Sequence, residues 1–196
     1  MGEIKSALEI ALEKAERIGR ASREELKREE LREKGQRLAA RFLRSKEPVD
    51  LAGETASLKP SERGPFLKGL VLTLLKNINL PRDEYALEEA KKALSGLEQI
   101  FSSFPQVKQL SREIEGLLGQ YLQHRQGLYA QLKQQFEAQL AGVEESLSQQ
   151  MGVQVKVDVE MQPKFQEEWQ KVRDQLDPQY QRQLEYLKKI FEKAVP

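Results

Sequence analysis

The chain has 196 residues, enough for one domain or for one domain carrying a long extension. Apolar residues make up 39% and charged residues 32%, so the ratio of surface to core is high, which suits elongated helices better than a globule. A formal net charge of +1 puts any attraction to nucleic acid or anionic membrane on a local patch, and the absence of Cys excludes disulfides, thiolate metal sites and cysteine nucleophiles.

The opening Met1-Gly2-Glu3-Ile4-Lys5 has no apolar secretory core, so a cytoplasmic location is expected. The longest apolar run, Gly69 to Leu75, falls well short of the roughly 20 residues of a membrane span, so no membrane association is expected.

In chain order, Ile4, Ala7, Leu8, Ala11, Ala15 and Ile18 recur at steps of three and four, one face of a helix. Residues 19–36 keep helix formers but few apolar side chains, which predicts an exposed middle. Apolar content returns at Leu38, Ala39, Phe42 and Leu43 before Pro48. Residues 1–47 are therefore read as an extended N-terminal helical arm. Pro48, Gly53, Pro60 and Gly64, with Ser and Thr between them, mark 48–64 as a linker. The remainder, 65–196, is the helical core domain.

Within that core, Phe66 to Ile78 has a wide apolar face and should be its most buried helix. A second helix is expected from Pro81, in its first turn, through Leu87, Leu94 and Leu97 to Phe104. Ser103-Phe104-Pro105 breaks it, and a long third helix runs from about Gln106 to Gln150, with Ile114, Leu117 and Tyr121 in its first half and Leu132, Phe136 and Leu147 in its second. The short connection predicts an antiparallel hairpin of the Leu87 and Ile114 helices. Single glycines at 116, 119, 127 and 142 suggest close approach of a neighbouring helix. Val153, Val155, Val157, Val159 and Met161 then alternate with Gln154, Lys156, Asp158 and Glu160, a period of two that predicts one isolated strand over 153–161. Phe165 to Leu176 reads as a short helix, and Asp177-Pro178 as the cap and first turn of another.

Chemistry-bearing signals are sparse. The single histidine, His124, has no second His, no Cys and no Glu-x-x-His around it, which argues against metal or triad chemistry. The pairs Glu88-Glu89, Glu144-Glu145 and Glu167-Glu168 diverge by about 100° on a helix and cannot share a pocket. No phosphate loop or nucleophile elbow occurs. No catalytic, cofactor or metal residue is assigned, and the chain is not expected to be an enzyme. The one charged patch is Lys34 to Lys46, which carries +5 with no acid and sets Arg37, Arg41 and Arg44 on one helical face. Such a stripe can neutralise phosphates or merely complement the helix dipole.

The run Glu3-Ile4-Lys5-Ser6-Ala7-Leu8-Glu9-Ile10-Ala11-Leu12-Glu13-Lys14 resembles the start of a family of uncharacterised bacterial proteins, and Pro163 to Tyr180 is more loosely similar to it. The resemblance implies a bacterial cytoplasmic protein and transfers no activity. The length and charged N-terminal helix are also similar to the peripheral-stalk subunit of rotary ATPases. That family ends in a multi-stranded α/β domain, for which one strand is too little.

The sequence thus predicts an all-α, coiled-coil-like protein with one strand, acting as a scaffold or interaction protein with an unknown protein partner. Since a strand must pair, the valines at 153, 155, 157 and 159 are expected to pair either with an extended piece of the 49–58 linker or, the favoured case, with the same strand of a second copy in a homodimer. The alternative is a nucleic-acid-associated protein using Arg37, Arg41 and Arg44.

Overall fold

The computed structural model describes the backbone of residues 7–154 and 156–194 and the side chains of 22–154 and 156–193. It is helical, with no strand among the described residues: α1 (Ala7–Arg44), α2 (Leu51–Ala56), α3 (Pro60–Lys76), α4 (Glu84–Ile100), α5 (Pro105–Met151), a 3-10 turn (Val159–Met161) and α6 (Pro163–Ala194). The chain divides into two compact units. The first comprises Met1–Ile78, Lys92–Val107 and Phe191–Pro196, and the second Asn79–Lys91 and Lys108–Ile190.

In the first unit, residues 22–30 of α1 are exposed, as their charge density dictates, while Leu31, Leu38, Ala39 and Phe42 turn one buried stripe toward α3. The two helices touch through glycine. A Cβ on Gly35 would lie 2.1 Å from the Phe66 carbonyl oxygen, and one on Gly69 would lie 2.0 Å from that of Arg32. No side chain fits either place, so the backbones themselves form the contact. Residues 48–64 hold α2 and the first turn of α3. The Asp50 carboxylate accepts from the Gly53 amide at 2.8 Å to cap α2, and Leu51 is fully buried. Phe42, Leu51 and Leu74 gather where Gly96 leaves space, a Cβ there coming within 2.8 Å of the Phe42 ring. Lys92 closes the other end of α1, donating to the carbonyls of Leu43 at 3.0 Å and Ser45 at 2.6 Å, where the negative end of the helix dipole favours a cation.

The second unit is built from longer side chains. The Phe136 and Tyr129 rings on α5 lie edge-on to Phe165 on α6, at 5.4 and 5.5 Å. Tyr129 also meets Trp169 at 5.0 Å, and Tyr121 meets Tyr180 at 5.3 Å. Partners rise in number along α6 as they fall along α5, so the two helices run antiparallel here.

Proline positions depart from expectation. Asp177-Pro178 is no boundary, and α6 runs through Pro178. An interior proline costs about 3 kcal/mol through one lost hydrogen bond and a clash. Buried Phe165, Trp169 and Leu176 before it and Leu184 after it hold both halves in one helix. Pro65 likewise lies inside α3. Pro81 precedes α4, whose first turn is capped by the Asp83 carboxylate accepting from the Ala86 amide at 2.8 Å. Phe104 falls beyond the end of α4, and Pro105 is itself the first residue of α5, one position before the expected start at Gln106.

The strand expected over 153–161 does not form. Gly152, at φ +68°, ends α5 in the left-handed conformation that glycine adopts without steric penalty. Residues 153, 154 and 156–158, before the 3-10 turn, have no regular structure. Their polar groups are satisfied along α5 instead of by a ladder. The Val157 amide donates to the Glu144 carboxylate at 2.6 Å, and Lys133 pairs with Glu160 at 2.6 Å. The Asp158 carboxylate accepts from the Glu160 amide at 2.9 Å. The valines do not share one buried face, since Val159 is 5% exposed and Val153 58%. Val157 is half-buried, and Val155 lies outside the described residues. A homodimer made by strand pairing therefore has no strand to pair. The glycines at 116, 119, 127 and 142 also need another account, because nothing lies within 4 Å of a Cβ at any of them.

Candidate functional site

The three arginines of the basic stripe lie exposed on the last turns of α1. Arg37 pairs with Glu33 at 3.5 Å, and Arg41 with Glu54 of α2 at 2.8 Å. Two of the three charges thus already have carboxylates beside them, one from a helix distant in sequence. Such surface pairs contribute little to stability, but they lower the positive potential that a phosphate would meet.

Among the described residues no cluster of three or more His, Asp or Glu is placed to hold a metal ion. One member of each adjacent glutamate pair has a partner of its own. Glu88 binds Lys91 at 2.8 Å, Glu144 the Val157 amide, and Glu168 binds Lys171 at 2.7 Å. The pairs therefore work as separate solvated groups. His124 is exposed, with Nδ1 3.3 Å from the Tyr180 hydroxyl. Beside it the Tyr121 hydroxyl donates to the Asp177 carboxylate at 2.9 Å. Burial, reinforced by that carboxylate, pushes the Tyr121 phenol up to about 12. Arg125 and Arg173 both approach the Trp169 ring, at 5.5 and 6.0 Å from its centroid. The cluster joins α5 to α6, and its phenol stays protonated across the physiological range, so it has the character of a structural clamp.

Among the described residues, several exposed large apolar side chains fall close together in sequence at the end of α5 and in the segment after it. Val143, Met151, Val153 and Met161 are 50, 64, 58 and 77% exposed, and Leu140 and Leu147 are half-buried. The period-two pattern drew attention to Val153 and Met161 for the wrong reason, and Val143 and Met151 escaped it. Their signal is the continuation of the α5 seam past the start of α6, which leaves the final turns of α5 without a facing helix residue in sequence register. Around them the Lys133–Glu160 pair holds the returning chain. The ammonium keeps the Glu160 carboxyl below its ordinary range, and Glu160 in turn raises Lys133.

No curated protein and no solved structure matches this sequence. A family profile does, over residues 52–193. The opening residues that resemble a family of uncharacterised proteins lie outside that match, and the 163–180 stretch lies inside it. With more than half of its length matched, the chain belongs to the family of unknown function DUF6657.

Proposed function

We propose that this chain is a non-enzymatic structural or interaction protein that self-associates through the end of α5 and the segment after it. The observation that carries the reading is the exposure of Val143, Met151, Val153 and Met161 within 19 residues of sequence, since solitary exposed apolar residues are ordinary but several together are not. Methionine suits such a surface because its unbranched, polarisable side chain adapts to a partner. The contact differs from a strand pair in using side chains alone. An antiparallel hairpin of α4 and α5 belongs to the same reading, supported by the Lys91–Glu115 ion pair at 3.6 Å. So do a bacterial origin and the cytoplasm, which the resemblance of the opening residues implies.

Light scattering on the full chain tests it. A mass near twice 22.6 kDa is expected at high concentration, falling toward one copy on dilution and in the double variant Val143→Asp, Met151→Asp. A single-copy mass at every concentration overturns the self-association. The nucleic-acid reading is weakened by the carboxylates beside Arg37 and Arg41. It predicts affinity that falls steeply with salt and vanishes on reversal of Arg37, Arg41 and Arg44.

A further inference from the structure

A groove of ≈ 780 Å³ opens in the first unit between α1 and the first half of α3, and its lining includes Arg28, Arg32 and Lys68. That volume lies within the range of small-molecule sites. Sequence reading passed over it because the three cations come from two helices, and neither helix shows a basic run at these positions. Of the acids at its wall, Glu29 lies 3.6 Å from an Arg32 terminal nitrogen, leaving Glu192 against the remaining cations. Glu62 on α3 is held by Lys27 at 2.9 Å. The Arg32 Nε is buried and has no hydrogen-bond partner, an expensive state for a donor on a charged group. Val71 and Leu72 supply an apolar wall, and Ser61 a hydroxyl.

We propose that this groove binds a small organic phosphate, with its anionic head on Arg28, Arg32 and Lys68 and its apolar body against Val71 and Leu72. Guanidinium groups present paired N–H donors that match phosphate oxygens, and the lysine adds a point charge. The groove is distinct from the Arg37, Arg41 and Arg44 stripe, and the proposal is independent of self-association.

Gly64 provides a test that leaves charge untouched. It lines the groove, and a Cβ there meets nothing within 4 Å. Gly64→Leu therefore starts from a Cβ in open space, puts apolar volume into the groove and improves helix propensity. Octyl phosphate, below its micelle concentration, is titrated into the full chain by calorimetry. One site per chain is expected, at least tenfold tighter than inorganic phosphate and tighter than octyltrimethylammonium. Arg28→Ala with Lys68→Ala should weaken it at least tenfold, Gly64→Leu should abolish it, and Arg37→Ala with Arg41→Ala should leave it unchanged. Circular dichroism confirms that each variant is folded. Absence of saturable binding, equal binding of the cationic probe, or indifference to both Gly64→Leu and the Arg28/Lys68 pair overturns the site. Vesicles containing phosphatidic acid separate a lipid headgroup from a free ligand. Binding to vesicles without binding of monomeric octyl phosphate overturns the small-molecule proposal, and binding of both supports the shared phosphate chemistry.

Discussion

The two units are held together by opposite means. In the first, α1 and α3 meet where there are no side chains, at Gly35 and Gly69, with backbone against backbone. In the second, α5 and α6 meet through large rings, Tyr129 and Phe136 against Phe165 and Trp169, and through a phenol bound to a carboxylate. A glycine contact is intolerant of addition, whereas an aromatic contact is intolerant of removal. The contrast shows that helices can be joined either by shape at the backbone or by side-chain volume.

The sharpest way to break the aromatic side is Phe165→Ala. Phe165 is fully buried, and truncation of such a residue costs about 3–5 kcal/mol. A urea series followed by Trp169 fluorescence should show a loss near 4 kcal/mol. A loss below about 1 kcal/mol would mean that the site collapses around the gap.

On the glycine side, Gly69→Ala adds one methyl where the nearest atom is a backbone oxygen. Overpacking costs about 1–3 kcal/mol, and the upper end is expected because a backbone cannot rotate away. Thermal unfolding by circular dichroism should show it, and Gly35→Ala should behave alike. A neutral result at both positions would contradict the close crossing.

Next in size is Tyr121→Phe, which removes a hydrogen bond to a charged acceptor and should cost about 1.5 kcal/mol at neutral pH. The wild type carries a pH signature. Its phenol titrates at about 12 when folded, against an ordinary value of 10.0, so the fold favours the protonated form. That stabilisation is complete below pH 10 and is lost as pH rises from 10 to about 12. Denaturant midpoints across this window should fall more steeply for the wild type than for Tyr121→Phe, and parallel slopes would reject the assignment.

The smallest effect has the opposite sign. Gly116→Ala lies in the helical interior of α5 with open space at its Cβ, so only helix propensity changes. A gain of about 0.8–1 kcal/mol is expected. Destabilisation would reveal a neighbour that the open space denies. Set beside Gly69→Ala, one chemical change then has two signs decided by surroundings alone.

That pair also explains how unevenly the sequence could be read. Steps of three and four placed the helices, because burying one face of a helix requires that spacing whatever the neighbour is. Leu38 and Phe42, and Leu110, Ile114 and Leu117, all lie buried where the seam puts them. Gly35 and Gly69 were invisible, since a glycine in a helix looks the same whether a helix crosses it or water does, and the glycines that did draw notice on α5 face open space. The groove is illegible for a related reason. Arg28 and Lys68 are 40 positions apart, and only the crossing brings their helices together.

The valine alternation marks the remaining boundary between the two kinds of information. A period of two says that a chain is extended with its side chains alternating, and residues 152–154 and 156–158 are indeed outside any helix. It does not say what receives the amide hydrogens. In a strand they need a second strand, whereas here the Val157 amide finds the Glu144 carboxylate on the preceding helix, a choice that depends on how the chain returns along α5. The sequence by itself therefore determined that this protein is a set of amphipathic helices, because local periodicity suffices for that. Tertiary structure alone decided whether Pro178 broke a helix, which glycines touched a backbone, and where the valines turned, because each depends on neighbours distant in the chain.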